Sequence, residues 1–124
     1  MVYQDAVCSA FMDIQPINPG HMLIVPNWHA ANLAELDPNI GAQMFCVGQQ
    51  LAAALEKIDV KCEGVNFFLA NGEAAGQEVF HVHLHVLPRY VGDGFALKFP
   101  AHYADLPKRA ELDRIASQMK KVLS

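Results

Sequence analysis

The sequence predicts one domain that mixes β-strands with two α-helices, on three observations. The chain has 124 residues, a length typical of a single domain of about 100–150 residues. Hydrophobic residues make up 52% and charged residues 18%, so a core forms without disulfides and a disordered chain is excluded. Apolar residues alternate around residues 79–87 and recur at helical spacing over 38–57 and 107–123.

In chain order, residues 5–12 and 22–26 read as strands rich in apolar side chains. The turn between them, residues 13–20, carries Pro16, Asn18, Pro19 and Gly20, and its prolines exclude a regular element. Residues 38–57 read as a helix capped by Asp37, with Pro38 in its first turn and Met44, Val47, Leu51 and Leu55 on one face. Gly64 to Leu69 reads as a strand. Asn71 to Gln77 form a loop of small and polar residues, and 79–87 is the clearest strand. Residues 91–105 look irregular. A second helix is expected from Pro107 to Leu123, with Asp105 as cap and Leu112, Ile115, Met119 and Val122 as its apolar face. No repeat or linker interrupts 1–124, which reads as a single domain. The first strand begins almost at Met1, as in a shortened version of a longer arrangement.

A net charge of −4 offers no general footprint for a nucleic-acid polymer. No apolar run reaches membrane-spanning length and no signal peptide is evident. Cys8, Cys46 and Cys62 have neither even number nor CxxC spacing, which argues for a reducing compartment and against a cysteine metal site. A cytoplasmic protein is expected.

The chemistry is concentrated in Phe80-His81-Val82-His83-Leu84-His85-Val86-Leu87-Pro88-Arg89. In a strand, His81, His83 and His85 share one face, with Val82, Leu84 and Val86 on the other. Such a row has three readings: a solvated strand face, a set of imidazole ligands for a transition metal, or a nucleophilic imidazole flanked by groups that orient it. The loop before it favours the last. Gly72, Ala74, Ala75 and Gly76 let a ligand approach the backbone closely, and successive N–H groups suit an anion. An anion site beside a histidine row points to phosphate as the electrophile.

These residues resemble the histidine triad (HIT) family of nucleotidyl hydrolases and transferases. Its signature, three histidines alternating with hydrophobic residues, is matched at every position of 81–87. Phe11-Met12-Asp13-Ile14, then Asn18-Pro19-Gly20-His21 through Pro26, and Gly76-Gln77 match further segments in the same order. The resemblance covers about residues 5–90 and implies an α+β fold with a five-stranded antiparallel sheet, usually as a homodimer.

It also implies roles. His83 would be the nucleophile on the α-phosphorus, forming a nucleotidyl-histidine. His85 would contact the phosphate or bridging oxygen, and His81 and His21 would orient the cluster. Asp13 would bind the ribose hydroxyls, and Phe11 and Ile14 a purine base. Asn71, Gly76, Gln77 and the backbone at Glu78 and Val79 would hold the phosphate. The expected activity is cleavage of a phosphoanhydride or phosphoramidate next to a nucleoside monophosphate, without metal or organic cofactor. The alternative is a nucleotide-binding interaction protein with incidental turnover. His29 and His102 read as surface residues, and Arg89 as a solvated strand end.

The chain departs from the family pattern in three places. On this reading the N-terminal segment, which often carries a CxxC pair, is expected to be missing. Glu78 stands where some branches have Ser or Thr. Ala70 precedes Asn71 where many members have a polar residue. Pro88-Arg89 after the triad resembles the dinucleoside-polyphosphate hydrolase branch and many bacterial members, and His85 as third histidine argues against a uridylyltransferase.

Overall fold

A computed structural model describes residues 1–124. Five antiparallel strands form one open sheet: β1 (Tyr3–Gln4), β2 (Cys8–Met12), β3 (Met22–Pro26), β4 (Gly64–Phe68) and β5 (Leu84–Arg89), in the order β1-β2-β3-β5-β4. Helix α1 (Pro38–Leu55) lies between β3 and β4 in the chain, and α2 (Arg109–Leu123) follows β5. The α+β class, the five antiparallel strands and the two helices agree with the sequence-based expectation.

Helix α1 is capped as expected. The Asp37 carboxylate accepts from the Asn39 N–H at 2.8 Å. Met44, Val47, Leu51 and Leu55 are buried against Ile24, Leu84 and Val86 of the sheet. Gly48 belongs to the same face, and a Cβ there would lie 3.0 Å from the Phe67 ring. The close seating of helix on sheet therefore requires glycine at this position.

Three element boundaries differ from expectation for local reasons. The strand expected over 5–12 is formed only over Cys8–Met12, because the Asp5 carboxylate accepts from the N–H groups of both Val7 and Cys8 at 2.8 Å and turns residues 5–7 aside. That Asx turn folds β1 back on β2. The strand expected over 79–87 is paired only from Leu84, and it runs on through Pro88 to Arg89. β4 ends at Phe68, opposite His85, and the β3–β5 pairing stops at Ile24–Leu84 although β3 itself runs on to Pro26. Instead the Val82 N–H donates to the Ala30 carbonyl at 2.7 Å. Pro88 pairs Val65 of β4, but its backbone polar side faces the turn before β3, where Asn18 Nδ2 donates to its carbonyl at 2.9 Å and no β3 ladder demands the missing N–H. Helix α2 begins at Arg109 without a side-chain cap, so Asp105 does not cap it. Its expected apolar face is formed but uncovered, and every residue of α2 is exposed.

Cross-strand pairing fixes what the two sheet faces carry. Residues opposite each other in a ladder point the same way. Ala10, Ile24 and Leu84 face α1, as do Met22, Val86 and Phe67. The opposite face, free of any helix, carries the row Phe11–Leu23–His85–Phe68.

Candidate active site

Alternation persists through the histidine segment although only part of it is strand. Val82, Leu84 and Val86 are buried, while His81, His83 and His85 are each half-buried. The three imidazoles thus share the side away from the core.

Hydrogen bonds fix which ring nitrogens carry hydrogen. His83 Nδ1 lies 2.7 Å from the His81 carbonyl. A carbonyl only accepts, so Nδ1 carries the hydrogen, and in the neutral ring Nε2 keeps its lone pair. His21 is 2% exposed and accepts the Ile17 N–H on Nδ1 at 3.1 Å. Its hydrogen is therefore on Nε2, which donates to His85 Nδ1 at 2.8 Å. His85 must then carry hydrogen on Nε2. A lone-pair nitrogen on His83 and a donor nitrogen on His85 thus belong to neighbouring rings whose centroids are 5.0 Å apart.

The electrostatics hold this pattern. Burial lowers the His85 pKa to about 4, helped by the nearby His83 and His21 rings and opposed by Asp13. Burial also lowers His21, against the attraction of Asp13. Both rings are thereby kept neutral, as the one-way chain of hydrogen bonds requires.

Asp13 lies at the start of the turn after β2. Its Oδ1 accepts from the Gln15 N–H at 2.9 Å, and its Oδ2 is 3.6 Å from His21 Nε2. Phe11 is half-buried in the same sheet row as His85, whereas Ile14 is fully exposed. One wall for a base is present, and Ile14 does not face it across a closed slot.

The loop before the triad is tied from within. Gln77 is buried; its Oε1 accepts from the Gly72 N–H at 2.8 Å, and its Nε2 donates to the carbonyls of Ala31 and Val79. Its own N–H donates to the Gly72 carbonyl. Gln77 therefore shapes the loop with both side-chain polar atoms and its own N–H. Gly76 has φ +94°, which favours glycine there. Asn71 Oδ1 accepts from the Leu33 N–H at 2.8 Å. The N–H groups of Glu78 and Val79 donate to no other group in the chain, and the Glu78 side chain is exposed.

Two residues read as inert in the sequence are not. His29 is exposed, but its Nδ1 lies 3.3 Å from His81 Nδ1, while His81 Nε2 bonds the Pro26 carbonyl at 3.1 Å. Only its position just beyond β3 hinted at this. Arg89 is not a solvated strand end. It forks onto Asp93 at 2.6 and 3.0 Å and donates to Asn66 Oδ1 at 2.7 Å. Phe68, whose ring meets His85 edge-on at 5.5 Å, was also missed. A strand-edge phenylalanine carries no signal of its own.

Asp13, His21 and His85 bring potential metal-ligand atoms within 4.8 Å of one another. Around tetrahedral zinc, at about 2.0–2.1 Å per ligand, neighbouring nitrogens stand about 3.3 Å apart. The 2.8 Å between His21 and His85 is a hydrogen bond, and an ion would have to break it.

An open antiparallel sheet bearing three alternating histidines, joined by a fourth from the neighbouring strand end, defines a histidine triad domain. A family model described as the HIT domain matches residues 1–92, and the chain belongs to that family. It is 38% identical over 124 residues to "Protein hit" of Bacillus subtilis, covering 99% of this chain and 84% of that protein. It is 35% identical over 88 residues to the adenylylsulfatase HINT3 of Arabidopsis thaliana, covering 71% of this chain and 44% of that one. The crystal structure of a HIT family protein from Bacillus anthracis superposes with a TM-score of 0.87 at 35% identity, covering 99% of this chain and 86% of that one.

Proposed function

We propose that the protein cleaves a phosphoanhydride or phosphoramidate next to a nucleoside monophosphate, through a nucleotidyl-histidine intermediate. The observation that carries this is the pair of fixed tautomers: His83 offers a lone pair on Nε2, and His85 beside it offers an N–H. For an anhydride, His83 Nε2 bonds the α-phosphorus as the bond to the bridging oxygen breaks. The electron pair goes to that oxygen, and the leaving phosphate departs as an anion hydrogen-bonded by His85 Nε2–H. Water then attacks the same phosphorus, the phosphorus–nitrogen bond breaks, and the surplus proton passes to solvent. His83 returns with hydrogen still on Nδ1.

The other roles follow the same geometry. The free N–H groups of Glu78 and Val79 stabilise the phosphate oxygens. Asp13 accepts from the ribose hydroxyls, and Phe11 walls one side of a purine base, over which the exposed Ile14 would have to fold. Gln77 and Gly76 shape the loop, Asn71 ties it to Leu33, and His81 holds His83 through its carbonyl. The likeness to an adenylylsulfatase supports an adenylyl group as the transferred part.

We also read the working unit as a homodimer. Strand β4 leaves one sheet edge unpaired, and the apolar side of α2 is uncovered. A single monomeric species at micromolar concentration in sedimentation velocity would contradict this.

The direct test is a panel of adenylyl anhydrides and phosphoramidates, with His83→Ala as control and mass spectrometry of acid-free quenched protein. Turnover with an adenylyl group on His83 is expected. AMP binding without turnover on any substrate would leave a nucleotide-binding protein instead.

A further inference from the structure

The uncovered sheet face continues past His85, away from Phe11 and Leu23, into a cavity of about 240 Å³. Leu87 and Asn66, cross-strand partners in β5 and β4, form its floor. His85 and Phe68 line it, and Phe95 and Leu97 from the segment after β5 complete it.

This cavity is built by a dedicated brace. Asp93 receives the Arg89 fork and accepts from Asn18 Nδ2 at 2.9 Å and from the Phe95 N–H at 3.1 Å. Arg89 also donates to the Phe95 carbonyl, and its guanidinium carbon lies 4.9 Å from the Phe95 ring centre. The segment carrying Phe95 is thus tied to β5 and to the turn before His21. The lining is mainly apolar, and the volume is a little below the range of about 300–1,000 Å³ usual for drug-sized ligands. It suits one flat ring. Phe68 and Phe95 supply aromatic faces and edges. Asn66 Oδ1 is engaged by Arg89, which leaves its amide NH2 as a donor.

The reaction geometry says what such a ring would be. Two groups on the α-phosphorus must diverge around His85: the nucleoside, toward Asp13 and Phe11, and the leaving group. We propose that this cavity is the leaving-group subsite, and that it takes an aromatic ring joined to the α-phosphate through a single heteroatom, as in an aryl ester of a nucleoside monophosphate. The proposal rests on the hydrolase reading above. In the first step the His83 Nε2–phosphorus bond forms and the phosphorus–oxygen bond to the ring breaks, its electron pair going to oxygen. The aryl oxide leaves as an anion while accepting a hydrogen bond from His85 Nε2–H.

The test compares two esters of adenosine 5′-monophosphate, one with phenol and one with hexafluoroisopropanol. These leaving groups are of similar acidity but differ in shape. Wild-type protein is expected to favour the phenyl ester in kcat/KM. Leu97→Ala and Phe95→Ala should each reduce that preference about tenfold, the scale on which an apolar pocket discriminates. Leu97 is 72% exposed, so its truncation removes cavity wall and not core. AMP affinity is measured in parallel on the same variants. No preference in wild type, or a preference unmoved in both variants, overturns the proposal. So does a loss of AMP affinity matching the loss on the phenyl ester, since the cavity would then hold the nucleoside. Cleavage of neither ester, nor of the anhydride panel, by wild type would instead remove the hydrolase reading on which this one stands.

Discussion

His21 donates to His85 rather than accepting from it, because the Ile17 N–H already occupies the other His21 nitrogen. A backbone group in the turn before β3 thus decides which nitrogen of His85 carries hydrogen. Replacing His21 with Ala should lower kcat by about a hundredfold, the scale on which misplacement of a reacting group acts, with a smaller change in KM. His21→Gln, whose amide can accept from Ile17 and donate to His85, should recover part of the loss. Equal activity of the Ala and Gln variants would mean that His21 acts only by filling space.

Asp13 offers its carboxylate beside the His21 nitrogen that meets His85, with Oδ2 3.6 Å from Nε2. Asp13→Ala should weaken AMP binding by about 1.5–3 kcal/mol, as for hydrogen bonds to a charged group. Isothermal titration with AMP and with its 2′,3′-dideoxy analogue checks the cause. Wild type should lose affinity for the analogue, and the variant should not distinguish the two nucleotides. A variant that still discriminates would place the ribose elsewhere.

The folded-state pKa of His85 is lowered to about 4, and that of His21 is lowered too. An unfolded histidine titrates near about 6.5. Between these values the unfolded chain binds protons that the native chain refuses, so stability is full above about pH 6.5 and declines as pH falls toward 4. Melting temperature followed across that window should fall with pH. His85→Asn, which has nothing to titrate there, should give a shallower slope.

Chelation distinguishes imidazole chemistry from metal-activated water. Because the His21–His85 contact is closed as a hydrogen bond, hydrolysis should survive prolonged treatment with EDTA. Activity lost on chelation and regained with a divalent metal would replace the covalent step by a metal-bound hydroxide.

Residues whose own neighbours in sequence determine their setting were legible in advance. Asp37 followed by Pro38 marked the start of α1, and its 3.6-residue spacing marked the buried face. Alternation of histidine with Val82, Leu84 and Val86 marked the common side of the triad. The extent of β5 was not legible, because it depends on where β4 stops and on the Ala30 carbonyl drawing Val82 away from β3. Arg89 was misread for a similar reason: its partners Asp93 and Asn66 lie across a turn and across the sheet. His29 meets His81 over a separation of 52 residues, which no local pattern records. Helix α2 shows the opposite case, a face read correctly from its spacing that packs on nothing in its own chain.

The strand order has a consequence for how the chain acquires chemistry during folding. β5 is the last strand to be made, yet it sits between β3 and β4. β1, β2, β3 and α1 can form before it, but β4 pairs with β5 alone, and the edge of β3 faces no imidazole row until β5 arrives. His21 and His85, 64 residues apart in sequence, meet only when that insertion is complete. Long-range closure of this kind is a slow event relative to local helix formation. Partly folded chains, with α1 and the β2–β3 hairpin in place, therefore lack the reactive pair. The His21–His85 contact arises with the final closure of the sheet rather than growing gradually with secondary structure.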